Sequence, residues 1–431
     1  MATDKSPEVL IVGAGPVGLF GALSLAKQGI GVQIVDTGVW ATTHSYALAL
    51  HPQTLQLLHE FGLMQDALES AYPVRTVAFY EGGERQAQIA VGDGKTCLAV
   101  LRQDVLETLL EKALEEHGVA VDWRHEVSSL EDHSDHVAAT IQRYEQESRG
   151  YVIAHNEWVV AASSDAQFPL VIGADGYKSR VRRATKIDFP EVGPAEYFAV
   201  FEFKSNFDLQ NEMRVAFHNG TTSVLWPLPN GYCRWSFQMP DYSDPDIERI
   251  KEFYQESGLG HLPSKRPKDR RISQETSYPE VLDAAHLRVF VAKRAPWFVG
   301  SIDDLIWRTV VRFEKRLANA YGQGRMWLAG DSAHLTGPVG VQSMNVGLHE
   351  IHDLAGRVAR FLRNQASTTS LESYSSRWLA EWRMLHGLDG GLKTHADTDP
   401  WVAQRADRLL SCLPAHGVEL GKLAGQLKLG L

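Results

Sequence analysis

The sequence predicts an α/β chain: a mostly parallel, helix-flanked sheet, interrupted by a β-rich insert and followed by a helical segment. Three observations predict it. A strand, a glycine turn, a helix and a second strand follow one another within residues 9–36. Two further strand-to-turn signals lie far downstream, at 169–176 and 326–334. Between about 189 and 300 the hydrophobic period switches to alternation, punctuated by two Asn-Gly pairs.

The first unit opens with Val9-Leu10-Ile11-Val12, a short continuous apolar run as expected of a parallel strand buried on both faces. It enters Gly13-Ala14-Gly15-Pro16-Val17-Gly18, then a helical pattern stopped at Gly29, then a second strand ending in Asp36. Gly13 permits a tight turn, Gly15 lets backbone approach a pyrophosphate, and Gly18 lets helix and strand pack closely. The helix start offers free N–H groups and a positive dipole end to phosphates, and Asp36 is placed to accept from ribose hydroxyls. Glycine turns alone are common; the whole unit reads as a dinucleotide site without choosing between FAD and NAD.

The next two signals are Pro169-Leu170-Val171-Ile172 running into Gly173-Ala174-Asp175-Gly176, and Met326-Trp327-Leu328-Ala329 running into Gly330-Asp331-Ser332-Ala333-His334. Either alone reads as a strand-end turn with Asp capping a helix. Together with the first cradle they resemble the FAD-dependent class A monooxygenases, the para-hydroxybenzoate hydroxylase-like family, in which these three motifs occur in this order. The resemblance runs to about Arg363. It implies a Rossmann-like FAD-binding domain with an inserted β-sheet substrate domain and a C-terminal helical segment. The expected division is 1–188 for the first part of the FAD domain, with 76–97 as candidate strands of the substrate sheet. Residues 189–299 form the substrate domain, 300–372 the second part of the FAD domain, and 373–431 the C-terminal helical segment.

By the same resemblance Asp175 lies near the flavin pyrophosphate and the nicotinamide path, Asp331 binds the ribityl or ribose side, and Arg102 contacts the flavin. The loop from Pro338 through Gly340 and Val341 to Asn345 lies against the isoalloxazine ring. The chain departs from the family pattern at Asp36, where Glu is commoner, and at Tyr46, where many members carry Arg. It departs again at Val341 and Ser343, where glycines are common; these changes bear on flavin movement and on the nicotinamide's route. The segment after about Glu372 is too short for the thioredoxin-like appendage of some relatives, and 409–431 reads as a helical tail.

In the insert, Asn219-Gly220 and Asn230-Gly231 both read as two-residue hairpin turns. They predict a meander of strands 213–218, 222–228 and 232–239. Alternation then puts Met213, Val215, Phe217, Val224, Trp226, Leu228, Cys233, Trp235, Phe237 and Met239 on one face, with Trp226 opposite Trp235. Arg214, Ala216, His218, Ser223, Leu225, Pro227, Tyr232, Arg234, Ser236 and Gln238 fall on the other. The apolar face is expected to pack under an amphipathic helix at 247–254. The mixed face meets either solvent or a cavity beside the flavin; resemblance of Arg234-Trp235-Ser236-Phe237-Gln238 to a family strand favours the cavity. Pro338, Arg234 and Ser236 are therefore the candidate catalytic residues.

Composition narrows the function classes. With 53 acidic and 43 basic residues the net charge is −10, which disfavours a general nucleic-acid role. The basic run Lys265–Arg271 reads as a solvated loop, with nicotinamide-phosphate binding as the lesser alternative. Three scattered cysteines form no CxxC pair, no stretch reaches the ~20 apolar residues of a membrane span, and the N-terminus reads as no signal peptide. The expectation is a cytoplasmic monomer or homodimer. Gly94-Lys95-Thr96 lacks the spacing of a P-loop, and no nucleophile elbow is present. His349-Glu350-Ile351-His352-Asp353 is not a zinc motif and is expected on the outer face of a helix. No second GxGxxG occurs, so NADH or NADPH is a visiting co-substrate.

The leading expectation is hydroxylation of a small aromatic, phenolic or polycyclic substrate with O2 and NAD(P)H, through a flavin C4a-hydroperoxide. A dehydrogenase, halogenase or Baeyer–Villiger enzyme on the same fold is the alternative, although no WxWxIP-type halogenase motif is found. A non-catalytic carrier is the remote one.

Overall fold

The computed structural model describes residues 6–39, 49–92, 96–149, 155–240, 282–367 and 369–431. Tyr46, Gly94-Lys95, the expected helix at 247–254 and the basic run at 265–271 lie outside the described residues.

Two sheets organise the molecule. The first has six strands in the order Gly322–Gln323, Met326–Leu328, Leu170–Gly173, Val9–Val12, Val32–Asp36 and Val121–Trp123. All neighbours are parallel except the Gly322–Gln323 edge. Val9–Val12 is at its centre and buried throughout, as a parallel strand covered on both faces must be. The three turn motifs leave this sheet at the C-terminal ends of Val9–Val12, Leu170–Gly173 and Met326–Leu328, where open α/β sheets bind ligands. Helices Pro16–Lys27 and Gln342–Leu362 pack on each other so closely that a Cβ on Gly21 would meet Ile351 Cγ1 at 2.5 Å.

The second sheet has eight strands in the order His334–Leu335, Asp303–Leu317, Glu191–Lys204, Tyr232–Gln238, Thr221–Pro227, Glu212–His218, Thr76–Glu81 and Glu84–Ala90. Residues 76–90 thus form its outer two strands. The 15-residue strand Asp303–Leu317 also belongs to it, beyond the limit of 299 expected for the insert. Smaller sheets combine His125–Asp132, Val137–Arg149 and His155–Phe168, and Ala49–Leu50, Leu98–Val100 and Tyr72–Val74. C-terminal helices Thr369–Leu385, Ala406–Leu410 and Gly417–Gln426 pack back onto both halves. Among the described residues no helix is long and apolar enough to cross a membrane.

The meander forms, but one of its faces is corrected. The Asn219-Gly220 turn is a two-residue hairpin with φ of 44° and 77°, closing His218 against Thr221. At Asn230-Gly231 the loop has three residues, Pro229–Gly231, and the Leu228 N–H donates to the Tyr232 carbonyl. The extra residue shifts register by one, so Trp226 pairs with Arg234, and Leu225 with Trp235. A one-residue shift inverts every side chain of a strand. Arg234 and Ser236 therefore share a face with Trp226 and Val224. Cys233, Trp235 and Phe237 lie on the opposite face, beneath helix Ala284–Arg294, with Phe201, Leu225, Leu287 and Val291.

Candidate active site

Three turns meet around the N-terminus of helix Pro16–Lys27. Gly13 has φ of 103°, and a Cβ there would come within 2.3 Å of the Ala174 carbonyl oxygen. A Cβ on Gly18 would lie 1.9 Å from the Gly13 carbonyl oxygen. On the other side, a Cβ on Gly347 would approach Val17 Cγ2 to 2.9 Å and Gly330 Cα to 3.1 Å. The 13–18, 173–176 and 330–331 turns are thus packed against one another by glycine contacts. Gly15 differs: a Cβ there would meet nothing within 4 Å. The open space lies at the helix N-cap, and neither Pro16–Lys27 nor Gln342–Leu362 has an acidic residue in its first turn to compete for an anion.

The three carboxylates are held differently. Asp36 accepts from the Ala14 N–H at 2.7 Å and the Gly38 N–H at 2.6 Å, bracing the turn. Asp175 Oδ2 accepts from the Arg180 and Val181 N–H groups at 2.6 and 3.3 Å, while its buried Oδ1 has no partner. Burial pushes its carboxyl above the usual range, partly offset by the Ser179 and N–H bonds. An orphaned buried acceptor suits a hydroxyl-bearing ligand. Asp331 stands in an open recess, yet the protein around it raises its carboxyl by desolvation, against His334 and the Ser343 hydrogen bond. Ser343 Oγ donates to Asp331 Oδ1 at 2.5 Å.

Arg182 ties two turns together, donating to the Ser332 and Tyr177 carbonyls at 2.6 Å each. Glu350 does the same from below. Its carboxylate accepts from Gly330 N–H at 2.9 Å, Trp382 Nε1 at 2.7 Å and Tyr321 OH at 3.2 Å, and pairs with His334 Nε2 at 2.9 Å. Glu350 and His334 are fully buried. The outer-face expectation for Glu350 is therefore wrong: it lies on the stripe of Val346, Gly347, Ile351 and Leu354, which faces the core.

A cavity of about 340 Å³, mouth included, opens between the eight-stranded sheet and the 338–345 loop. Val200, Trp226, Trp307, Val311, Phe313, Pro338 and Val341 give it apolar walls; Arg234 and Ser236 are its polar side chains. The register correction is what brings Trp226 to these two. The Arg234 guanidinium lies 4.9 Å from the Trp307 ring centre, and its Nε donates to Glu202 Oε1 at 2.7 Å. Glu202 is fully buried and also pairs with Arg102 NH2 at 2.8 Å. Arg102, expected at the flavin, thus joins Arg234 through one carboxylate. The Ser236 hydroxyl has no hydrogen-bond partner among the described residues.

The 338–345 loop is fixed from several sides. His51 Nε2 donates to the Gly340 carbonyl at 2.9 Å, and the His51 N–H donates to Asn345 Oδ1 at 2.7 Å. Burial drives His51 down to about 3, so its ring is a neutral donor. Asn345 Nδ2 donates to the Ala49 and Val341 carbonyls at 2.8 Å each. Gln342 Nε2 donates to the Leu413 carbonyl at 3.2 Å, bringing the C-terminal segment against the loop.

Sequence reasoning missed Glu202, Glu350, Arg182 and His51. Glu202 had a signal: it is the one charge in the run Phe198-Ala199-Val200-Phe201-Glu202-Phe203. Glu350 had one in its place on an apolar helical stripe. Arg182 and His51 act on backbone carbonyls brought close only by tertiary structure, and nothing local marks them.

A family model described as "FAD binding domain" matches residues 6–385. By sequence the chain is similar to 6-methylpretetramide 4-monooxygenase of Streptomyces rimosus, 26% identical over 86% of this chain and 58% of that protein. It is similar to para-nitrophenol 4-monooxygenase of Pseudomonas sp. (strain WBC-3), 24% identical over 85% of this chain and 81% of that one. The chain spans 58, 64 and 50% of the lengths of three of the curated relatives it matches. Among solved structures, p-nitrophenol 4-monooxygenase PnpA from Pseudomonas putida DLL-E4 shares the fold. It superposes with a TM-score of 0.64 at 21% identity, over 94% of this chain and 93% of that one. With its three turn motifs in contact and a family match over most of its length, this chain belongs to the FAD-binding domain family.

Proposed function

We propose that the protein is an FAD-dependent monooxygenase that hydroxylates a small aromatic or phenolic substrate, with NADH or NADPH and O2 as co-substrates. The observation that carries this reading is the apolar, aromatic-walled cavity bearing Ser236 and Arg234 against the loop that opens helix Gln342–Leu362. One relative's name, para-nitrophenol 4-monooxygenase, supports the same substrate class.

Bound FAD supplies hydride acceptance and activation of O2. The chain's own part is to bind, orient and exclude water. In our reading Gly13, Gly15 and Gly18 with the Pro16 helix start hold the pyrophosphate, Asp36 faces a ribose, and Asp175 and Asp331 bind cofactor hydroxyls. The Gln342 helix start, next to Pro338, Gly340, Val341 and Asn345, favours negative charge on the ring. Ser236 supplies the hydrogen bond that orients a phenolic oxygen, and Arg234, balanced by Glu202, adds a positive edge without a free buried charge. Trp226, Trp307 and Phe313 keep the reacting region dry. The substrate unit comprises the 189–299 insert with strands Thr76–Glu81, Glu84–Ala90 and Asp303–Leu317; the rest of 1–372 holds the cofactor. We place the protein in the cytoplasm, in keeping with its three free, buried cysteines.

The test is direct. The purified protein is expected to be yellow and to oxidise NADH or NADPH with a panel of phenols, consuming O2 and releasing little peroxide with a true substrate. A colourless protein that takes up no added FAD contradicts the reading. Turnover that continues without O2 assigns the chain to the dehydrogenases instead.

A further inference from the structure

Val341 has φ of 46° and ψ of 39°, the left-handed region, where a β-branched side chain is a genuine outlier. Such strain persists only where the surroundings enforce it, and it clusters at ligand sites. Here the enforcement is visible. The Gly340 carbonyl is held by His51, the Val341 carbonyl by Asn345, Gln342 by the Leu413 carbonyl, and Ser343 by Asp331.

None of these ties uses the Val341 side chain. Glycine would follow the same path without strain, because each bond is made by backbone or by a neighbouring residue. The isopropyl group therefore needs a separate explanation: it packs at the margin of the main core and lines the wall of the cavity, with Pro338, Trp226, Trp307 and Phe313. Two independent observations, an enforced left-handed backbone and a cavity-lining side chain, meet at one residue.

We propose that Val341 is a specificity-determining residue. It narrows the cavity so that compact single-ring aromatics enter and fused-ring ones are rejected. Its isopropyl group stands in the same wall as Trp226, Trp307 and Phe313, so its bulk is taken from the room left to a guest. This inference rests on the proposed hydroxylase reading of the same site.

The experiment compares the wild type with Val341→Gly and Val341→Ala as full-length, FAD-loaded proteins. Thermal midpoints are recorded with and without FAD. Binding of 4-nitrophenol and 4-nitro-1-naphthol is titrated by the flavin's visible spectrum. In Val341→Gly the midpoint without FAD is expected to stay level or rise by about 2 °C, relief of strain outweighing glycine's greater unfolded freedom. The two-ring probe is expected to gain about tenfold or more relative to the one-ring probe in both variants, because both empty the same wall.

A midpoint lowered by more than about 2 °C in Val341→Gly shows that the side chain is ordinary packing, and overturns the proposal. So does a probe ratio within about twofold of wild type in yellow, probe-binding variants. A wild type that takes up neither FAD nor either probe fails the hydroxylase reading itself, and the proposal falls with it; the two failures are thereby told apart.

Discussion

The two halves of the site are built by opposite means. Around Gly13, Gly15 and Gly18 the machinery is backbone: absent side chains, free N–H groups at a helix start, and turns packed so closely that a Cβ on Gly18 would lie 1.9 Å from a carbonyl oxygen. Across the cavity the machinery is side chains: two tryptophans, a phenylalanine, a serine, and two arginines sharing the buried carboxylate of Glu202. A backbone site serves whatever carries a pyrophosphate. A side-chain site can be re-specified one residue at a time. Relatives at 24 to 26% identity carry names that record different substrates.

The largest expected effect breaks the side-chain half. Glu202→Ala removes the buried carboxylate that Arg234 and Arg102 share, at a cost of about 3 kcal/mol, the low end for a broken buried pair because Arg102 reaches solvent. Denaturant unfolding measures it. Loss of less than about 1 kcal/mol would show that the two arginines find water or other acceptors, and that the triad is not what organises the cavity.

The next effect tests the seam between the halves. Burial lowers His51, His349 and His416 to about 3 and His386 to about 4, from 6.5. His51 Nδ1, His349 Nε2 and His416 Nδ1 have no donor, in keeping with neutral rings. Below pH 6.5 the unfolded chain binds protons that the folded chain refuses until about pH 3 to 4. Their stability is therefore complete above 6.5 and lost as pH falls through that window, by at most ~2 kcal/mol for each ring at pH 5. Thermal midpoints of the FAD-free protein should drop steeply from pH 7 to pH 5, and less steeply in His416→Gln. A flat profile would mean that the rings take up protons while folded.

The same contrast decides what could be read in advance. Gly13, Gly15, Gly18, Asp175 and Asp331 stand in short stretches whose residue types dictate the turn, so the parallel sheet and its cradle were legible. The face of Arg234 and Ser236 depended on one loop. Pro229-Asn230-Gly231 looks like an Asn-Gly hairpin, but Pro229 joins the loop, and the added residue inverts the strand. Asp303–Leu317 was hard to assign because its partner strand, Glu191–Lys204, lies far away in sequence. Glu202 and Glu350 were hidden for a simpler reason: burial of a charge is decided by partners on other segments, and local pattern favours the surface.

The smallest effect is the most direct test of the central claim, that the opening over Gly15 is kept for a cofactor and not for packing. The measurement is FAD affinity of Gly15→Ala by fluorescence quenching, alongside the thermal midpoint of its FAD-free form. The added methyl meets no protein atom within 4 Å, so the midpoint should stay within about 2 °C of wild type. On the proposed reading it stands where the pyrophosphate approaches, so the Kd should rise about tenfold or more, ~1.4 kcal/mol. An unchanged Kd, or an FAD-free protein that unfolds far earlier, would contradict the account.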